Sequence, residues 1–384
     1  MPQLSNAINN LKASSTVAFN AKARELAQQG VDVVAMTAGE PDFQPPEHVL
    51  AAAHEAINQG LTKYTATEGM LTLREAIAAK FKRENGLPYT TDQILVSSGG
   101  KQVLYNAFMA ILNPGDEVVL PAPYWVSYPA QIQLAGGVTV PVTTEAASGF
   151  IPDPEAIHRA ITPRTRAIVI NSPCNPTGAV YPAEVIKAIA DLAEKHDLWL
   201  ITDEIYEHLI YEGSFTAAAQ FHQGKTLVVH GASKSYALTG WRIGYGAGPK
   251  ALIAAMSRLQ GQVTSNASAV AQYATIAALN EVDKTRAFID MTRRAYQERR
   301  DLLVAGLNRL GLKTPLPHGA FYVMSDTTPL HRDENEAALL LLSRAHVGVV
   351  PGTDFGAPGQ VRMSYATSLE SVHKALERIA RLLD

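Results

Sequence analysis

The chain has 384 residues, 47% hydrophobic and 18% charged, and its 36 acidic against 33 basic side chains leave a formal net charge of -3. That length suits a large domain plus a smaller one, and the balanced charge, without any lysine or arginine run, argues against nucleic acid or an anionic membrane as a partner. The single cysteine, Cys174, excludes an internal disulfide framework and a cysteine-built metal site, which favours the cytosol.

The first residues lack the basic start and apolar core of an export signal, and a cytoplasmic location is expected. In chain order, apolar residues recur at helical spacing over 15–29, 47–59, 71–84, 183–195 and 284–310. Short β-branched runs at 93–97, 117–120, 167–170, 198–202 and 226–230 alternate with them, which predicts an α/β fold whose parallel sheet is covered on both faces. Two uncharged stretches, 118–144 and 259–280, do not read as membrane spans. Pro121, Pro123, Pro129 and Pro141 break the first, and Gln, Ser, Thr and Asn interrupt the second. Beyond residue 280 a long amphipathic helix leads to strand-like 320–324, 347–350 and 361–365. The expected division is a large domain over 41–280 and a smaller α+β domain made of 1–40 with 281–384.

In open α/β sheets, ligands sit outside the carboxyl ends of the strands. The run ending at Ile170 leads into Asn171-Ser172-Pro173-Cys174-Asn175-Pro176-Thr177-Gly178, a turn stiffened by prolines that holds Asn175 in one orientation. The next run delivers Asp203-Glu204-Ile205-Tyr206, and the third delivers Ser233-Lys234, with Gly240-Trp241-Arg242-Ile243-Gly244 beyond. Three successive strand ends therefore offer an amide, a carboxylate with a phenol, and a lysine near an arginine. Alone, such a lysine is a solvated surface residue, such an aspartate a helix cap and such a tyrosine a core residue. Together they suit Schiff-base chemistry, which needs an unprotonated amine; Arg242 is a cation able to lower the lysine pKa, and its planar fork also suits a phosphate.

These motifs, in this order and across essentially the entire chain, resemble the class I and II aminotransferases, pyridoxal phosphate enzymes of fold type I. Thr37-Ala38-Gly39-Glu40-Pro41-Asp42-Phe43, Gly99-Gly100-Lys101-Gln102 and Pro123-Tyr124-Trp125-Val126-Ser127-Tyr128 resemble most the bacterial aspartate aminotransferases of the gamma subgroup. The resemblance implies that Lys234 condenses with pyridoxal phosphate and then moves the substrate proton as a general base. It implies that Asp203 pairs with the pyridine nitrogen, that Tyr206 and Asn175 donate to the ring oxygen, that Trp125 stacks on the ring, and that Trp125 and Asn175 also border the substrate. Gly99, Gly100 and Lys101 would meet the phosphate at a helix start, completed by Ser233 and Arg242. Tyr64 would reach the phosphate of a neighbouring subunit, so a homodimer with shared sites is implied.

For substrate, the resemblance assigns the α-carboxylate to Arg362, with Gly39 letting backbone approach the same group. Lys101, Ser14 and Thr16 would meet the distal carboxylate of aspartate or glutamate, and Lys12 is associated with acceptance of prephenate. The implied reaction is a ping-pong transfer from aspartate or glutamate to a 2-oxo acid such as 2-oxoglutarate, oxaloacetate or prephenate. An aromatic, methionine or kynurenine aminotransferase, or a β-lyase, is the alternative on the same fold. A ligand sensor fused to a DNA-binding module finds no basic patch. No metal site is expected, because His-Glu-x-x-His is absent, and Gly244-Tyr245-Gly246-Ala247-Gly248 misses the dinucleotide-binding spacing.

Overall fold

A computed structural model describes residues 3–11 and 15–384, the side chains of Ser15 and Thr16 excepted. Its strands in chain order are β1 (Val34–Ala35), β2 (Ile94–Ser97), β3 (Glu117–Ala122), β4 (Val138–Thr143), β5 (Thr165–Asn171), β6 (Trp199–Asp203), β7 (Thr226–Gly231), β8 (Gly244–Ala247), β9 (Tyr322–Asp326), β10 (Val347–Gly348), β11 (Val350–Pro351) and β12 (Gln360–Ser364). Seven of them form one sheet in the order β2-β8-β7-β6-β5-β3-β4. Only β8 runs against the rest, between β2 and β7, so the five strands expected from sequence all point one way. Their carboxyl ends share one edge.

Alternate residues of these strands pack on opposite faces, which is why each run is apolar throughout. Val169, Ile201 and Val229 pack with Val103 and Phe108 of helix Gly100–Ile111 and Met256 of helix Lys250–Val263. On the opposite face, Ile168, Ile170 and Leu200 meet Ile186, Ile189 and Ala190 of helix Ala183–Lys195. Burying each large aliphatic side chain contributes about 1.5–3 kcal/mol. A smaller antiparallel sheet, β11-β12-β9, and the parallel pair β1-β10 are built largely from later residues. Its Val323, Val361 and Met363 pack with Tyr296 and Leu303 of helix Val282–Arg309 and Val372 and Ile379 of helix Leu369–Leu383. Among the described residues, no helix is long and apolar enough to cross a membrane.

Three local expectations change. The helix expected over 71–84 ends at Lys80, and a π-helical turn, Phe81–Asn85, follows, closed by Gly86 at φ 67°. The run 347–350 divides at Val349, since β10 pairs with β1 while β11 pairs with β12. The strand expected at 320–324 starts later, at Tyr322, because Ala320 lies at φ 55°, outside the strand region. The glycine-rich stretch weighed as a nucleotide motif is strand β8. A side chain at Gly244 would collide with the backbone of Gly99 and Gly100, so glycine lets the two segments touch.

Candidate active site

The strand ends converge on a cleft of about 420 Å³ lined by Gly39, Gly100, Lys101, Trp125, Asn175, Asp203, Tyr206, Ser233, Lys234, Arg242 and Arg362, among others. Strand β6 ends in Asp203, which is 6% exposed. Tyr128 donates to its Oδ2 at 2.7 Å and the Ile205 amide to its Oδ1 at 3.3 Å. Burial pushes the carboxyl up to about 6, opposed by the Tyr128 and Ile205 hydrogen bonds and by the Lys234 charge.

Strand β5 ends in Asn171, whose Oδ1 accepts from the Asn175 amide at 2.7 Å while its Nδ2 donates to the Asp203 carbonyl at 2.8 Å. The proline turn is thereby locked to the neighbouring strand end. Asn175 Oδ1 accepts from Arg362 Nη1 at 3.1 Å, which leaves its Nδ2 directed elsewhere. Arg362, on β12, alternates with Val361 and Met363, which face the core of the small sheet, so its guanidinium faces the cleft. Its Nη2 donates to the Thr37 carbonyl at 2.8 Å, and its charge lies 4.6 Å from the Tyr322 ring centroid. Among the described residues, its buried Nε has no hydrogen-bond partner.

Strand β7 leads through Ser233 to Lys234, whose Nζ donates to the Gly39 carbonyl at 2.5 Å and lies 5.8 Å from the Tyr206 and Phe321 ring centroids. Burial lowers this lysine to about 8, with Arg362 next and Arg242 a lesser contributor, while Glu40 and Asp203 oppose. The sequence pointed to Arg242 as the perturbing charge. In the fold Arg242 is exposed and bound to the Thr239 carbonyl at 2.7 Å, whereas Arg362 is buried and the stronger influence.

Helix Gly100–Ile111 begins at the cleft behind Gly99, at φ 88°, where a side chain would strike the Arg242 guanidinium. The first turn's amides, Ser233 and Arg242 thus border one end of the cleft, an arrangement suited to a phosphate. Trp125, in the loop after β3, lies edge-on to Tyr128 at 5.4 Å, with Lys101 Nζ 5.0 Å from its ring.

Not every expected residue is in the cleft. Tyr64 is 92% exposed and lines a separate hollow with Lys63, Asn266 and Ser268. Lys12, Ser14 and the Thr16 side chain lie outside the described residues. The cleft also holds residues given no role from sequence: Tyr128 on Asp203, Asn171 on Asn175, and Tyr322, whose hydroxyl is 2.9 Å from that of Tyr206. Tyr128 stood inside a quoted motif without a role, whereas Tyr322, an aromatic in a strand, carried only a core signal.

The family model for aminotransferase class I and II matches residues 31–379. The aspartate/prephenate aminotransferase of Thermus thermophilus is 56% identical over 383 residues, covering 100% of this chain and 99% of the relative. That of Cereibacter sphaeroides is 46% identical over 395 residues, covering 99% and 98%. The solved Thermus thermophilus aspartate aminotransferase with maleate superposes with a TM-score of 0.98 at 56% identity, covering 100% of both chains. The aspartate aminotransferase of Rhizobium meliloti gives 0.95 at 42% identity, covering 100% of this chain and 99% of that one. A seven-stranded mixed sheet with helices on both faces, the half-buried lysine and buried carboxylate at its strand ends, and these full-length matches lead to one conclusion: the chain belongs to the class I and II aminotransferases of fold type I.

Proposed function

We propose that the cleft binds pyridoxal phosphate and that the enzyme transfers the amino group of aspartate or glutamate to a 2-oxo acid, with 2-oxoglutarate, oxaloacetate and prephenate as acceptors. The convergence of Lys234, Asp203 and Arg362 on one cleft carries this reading. The residues present fit the cofactor. A buried carboxylate that still ionises at about pH 6 suits a protonated pyridine nitrogen, the helix start behind Gly99 with Ser233 and Arg242 suits a phosphate, and Arg362 Nε, without a partner among the described residues, calls for an acceptor that the substrate α-carboxylate would supply.

When bound, pyridoxal phosphate supplies an electron-poor ring and a carbonyl that exchanges for an amine. Lys234 would hold it, and an amine lowered to about 8 is poised to attack as the free base and to take up and return a proton near neutral pH. Asp203, fixed by Tyr128, would hold the pyridine N–H; Tyr206 and Asn175 would donate to the ring oxygen, and Trp125 would cover the ring face. The helix start, Ser233 and Arg242 would hold the phosphate. Arg362 would take the substrate α-carboxylate, Asn175 and the Thr37 carbonyl fixing its plane.

With Lys234 and Arg242 taken up by the cofactor, Lys101 and Arg362 are the two cations of the cleft left to meet a substrate. That pair favours dianionic substrates over aromatic or methionine side chains. Relatives named aspartate/prephenate aminotransferases, and a neighbour solved with the dicarboxylate maleate, support the same choice. We also propose a homodimer in which Tyr64, with its bare phenol, reaches the site of the neighbouring subunit. The test is a visible spectrum of the cofactor-loaded protein with aspartate, glutamate, phenylalanine and methionine added separately. Bleaching by the acidic pair and restoration by oxaloacetate or prephenate is expected; bleaching only by phenylalanine or methionine would assign the alternative specificity.

A further inference from the structure

Behind the cleft wall lies a cluster of charges to which the proposed chemistry gives no role. Glu207, one residue beyond Tyr206, has a side chain 3% exposed and is paired with Lys80, whose side chain is fully buried. Asn85 Nδ2 donates to its Oε2 at 2.9 Å, and His230 Nε2 lies 2.9 Å and His208 Nε2 3.3 Å from its Oε1. Lys80 also donates to Asn85 Oδ1 at 2.9 Å and lies 3.7 Å from Glu84 Oε2. Burial opposes ionisation of Glu207, but Lys80, then His230 and His208, outweigh it and hold the carboxyl well below the usual range.

The cluster joins three segments. Lys80, Glu84 and Asn85 come from the end of helix Leu71–Lys80 and the π-helical turn that departed from expectation. Glu207 and His208 continue the segment bearing Asp203 and Tyr206. His230 ends the run before Lys234, its Nδ1 accepting from the Gly231 amide at 2.7 Å, and His208 Nδ1 lies 2.8 Å from the hydroxyl of Ser235. The Lys234 segment is thus tied on both sides of the lysine, at His230 and at Ser235, to the segment bearing the carboxylate and phenol that face the lysine. Glu84, Glu207 and His208 are close enough together to hold a metal ion, but the Lys80 ammonium lies against both carboxylates and supplies the cation itself.

We propose that Glu207, paired with Lys80, is a positioning residue that sets the placement of Lys234 relative to Asp203 and Tyr206. The inference rests on the proposed function, because it concerns the same lysine. Removing one partner strands a buried charge, so Glu207→Gln alone risks the fold; Lys80→Met with Glu207→Gln removes both charges at nearly constant volume.

The experiment compares wild type, this double variant and His208→Gln, whose side chain is 19% exposed in the wild type. It records the melting temperature without cofactor, the pH midpoint of the visible band with pyridoxal phosphate, and kcat and KM for aspartate. The expected double variant melts near wild type, shifts the band midpoint by about half a pH unit, and loses about tenfold in kcat with KM little changed, because small misplacements of a reacting group cost rate. His208→Gln, cutting one tie, should lose about threefold in kcat in the same direction. If the double variant fails to fold, His208→Gln alone decides. A folded variant with the wild-type midpoint and kcat overturns the inference alone; absence of any band from the wild type overturns the functional reading and this inference with it.

Discussion

The Tyr128 hydroxyl donates to Asp203 Oδ2 at 2.7 Å, and both groups are almost wholly buried. Burial alone would favour a protonated Asp203, which could not offer a full charge to a pyridine N–H, and Tyr128 works against that tendency. A hydrogen bond to a charged group contributes about 1.5–3 kcal/mol. Tyr128→Phe should therefore weaken pyridoxal phosphate binding by about tenfold or more at pH 7, measured by absorbance titration, with Asp203→Asn more damaging still. Unchanged affinity in Tyr128→Phe would mean that Asp203 needs no such support.

The Lys234 amine, lowered to about 8, sets a pH dependence with a definite sign. Only the free amine attacks a carbonyl, and below the pKa its fraction rises tenfold per pH unit. Uptake of pyridoxal phosphate by cofactor-free protein should speed up from about pH 6 and level off above about pH 8, where an unshifted lysine would keep gaining to about pH 10. Stopped-flow absorbance across that range checks it.

How much of this was legible in the sequence depended on where each residue sat. Asn175, Asp203 and Lys234 follow apolar β-branched runs, so strand pattern and strand-end logic located them together. Arg362 was reached through the family resemblance, since an arginine within a strand is ordinarily a surface residue; its burial, and its precedence over Arg242 as a neighbour of Lys234, come from the packing of β12. Strand β8 was hidden because Gly-Tyr-Gly-Ala has little strand propensity, and its glycines serve close backbone contact. The helix end at Lys80 was hidden too, because a buried lysine at helical spacing reads as solvent-facing until its partner Glu207 is known.

Arg362 engages Asn175 and the Thr37 carbonyl through separate nitrogens, a geometry a lysine cannot reproduce. Arg362→Lys should lower kcat/KM for aspartate by about a hundredfold, roughly 3 kcal/mol, with little change in cofactor affinity. Steady-state kinetics beside a cofactor titration checks this, and an equal loss in both would show that Arg362 serves the cofactor instead.

Gly99 combines a left-handed backbone with a side-chain position already filled by Arg242. Gly99→Ala costs about 1 kcal/mol in backbone strain and displaces the guanidinium, so the affinity for pyridoxal phosphate should fall about tenfold while that for pyridoxal, which has no phosphate, stays unchanged. Equal losses for the two ligands would remove Arg242 and the helix start from the phosphate site.

Incubating the protein with pyridoxal phosphate, reducing with borohydride and mapping the proteolytic peptides by mass spectrometry locates the reacted amine. One stoichiometric adduct on Lys234, absent from Lys234→Ala, is expected; an adduct on Lys101 or Lys63, or no stoichiometric adduct at all, would contradict the proposal that Lys234 carries the cofactor.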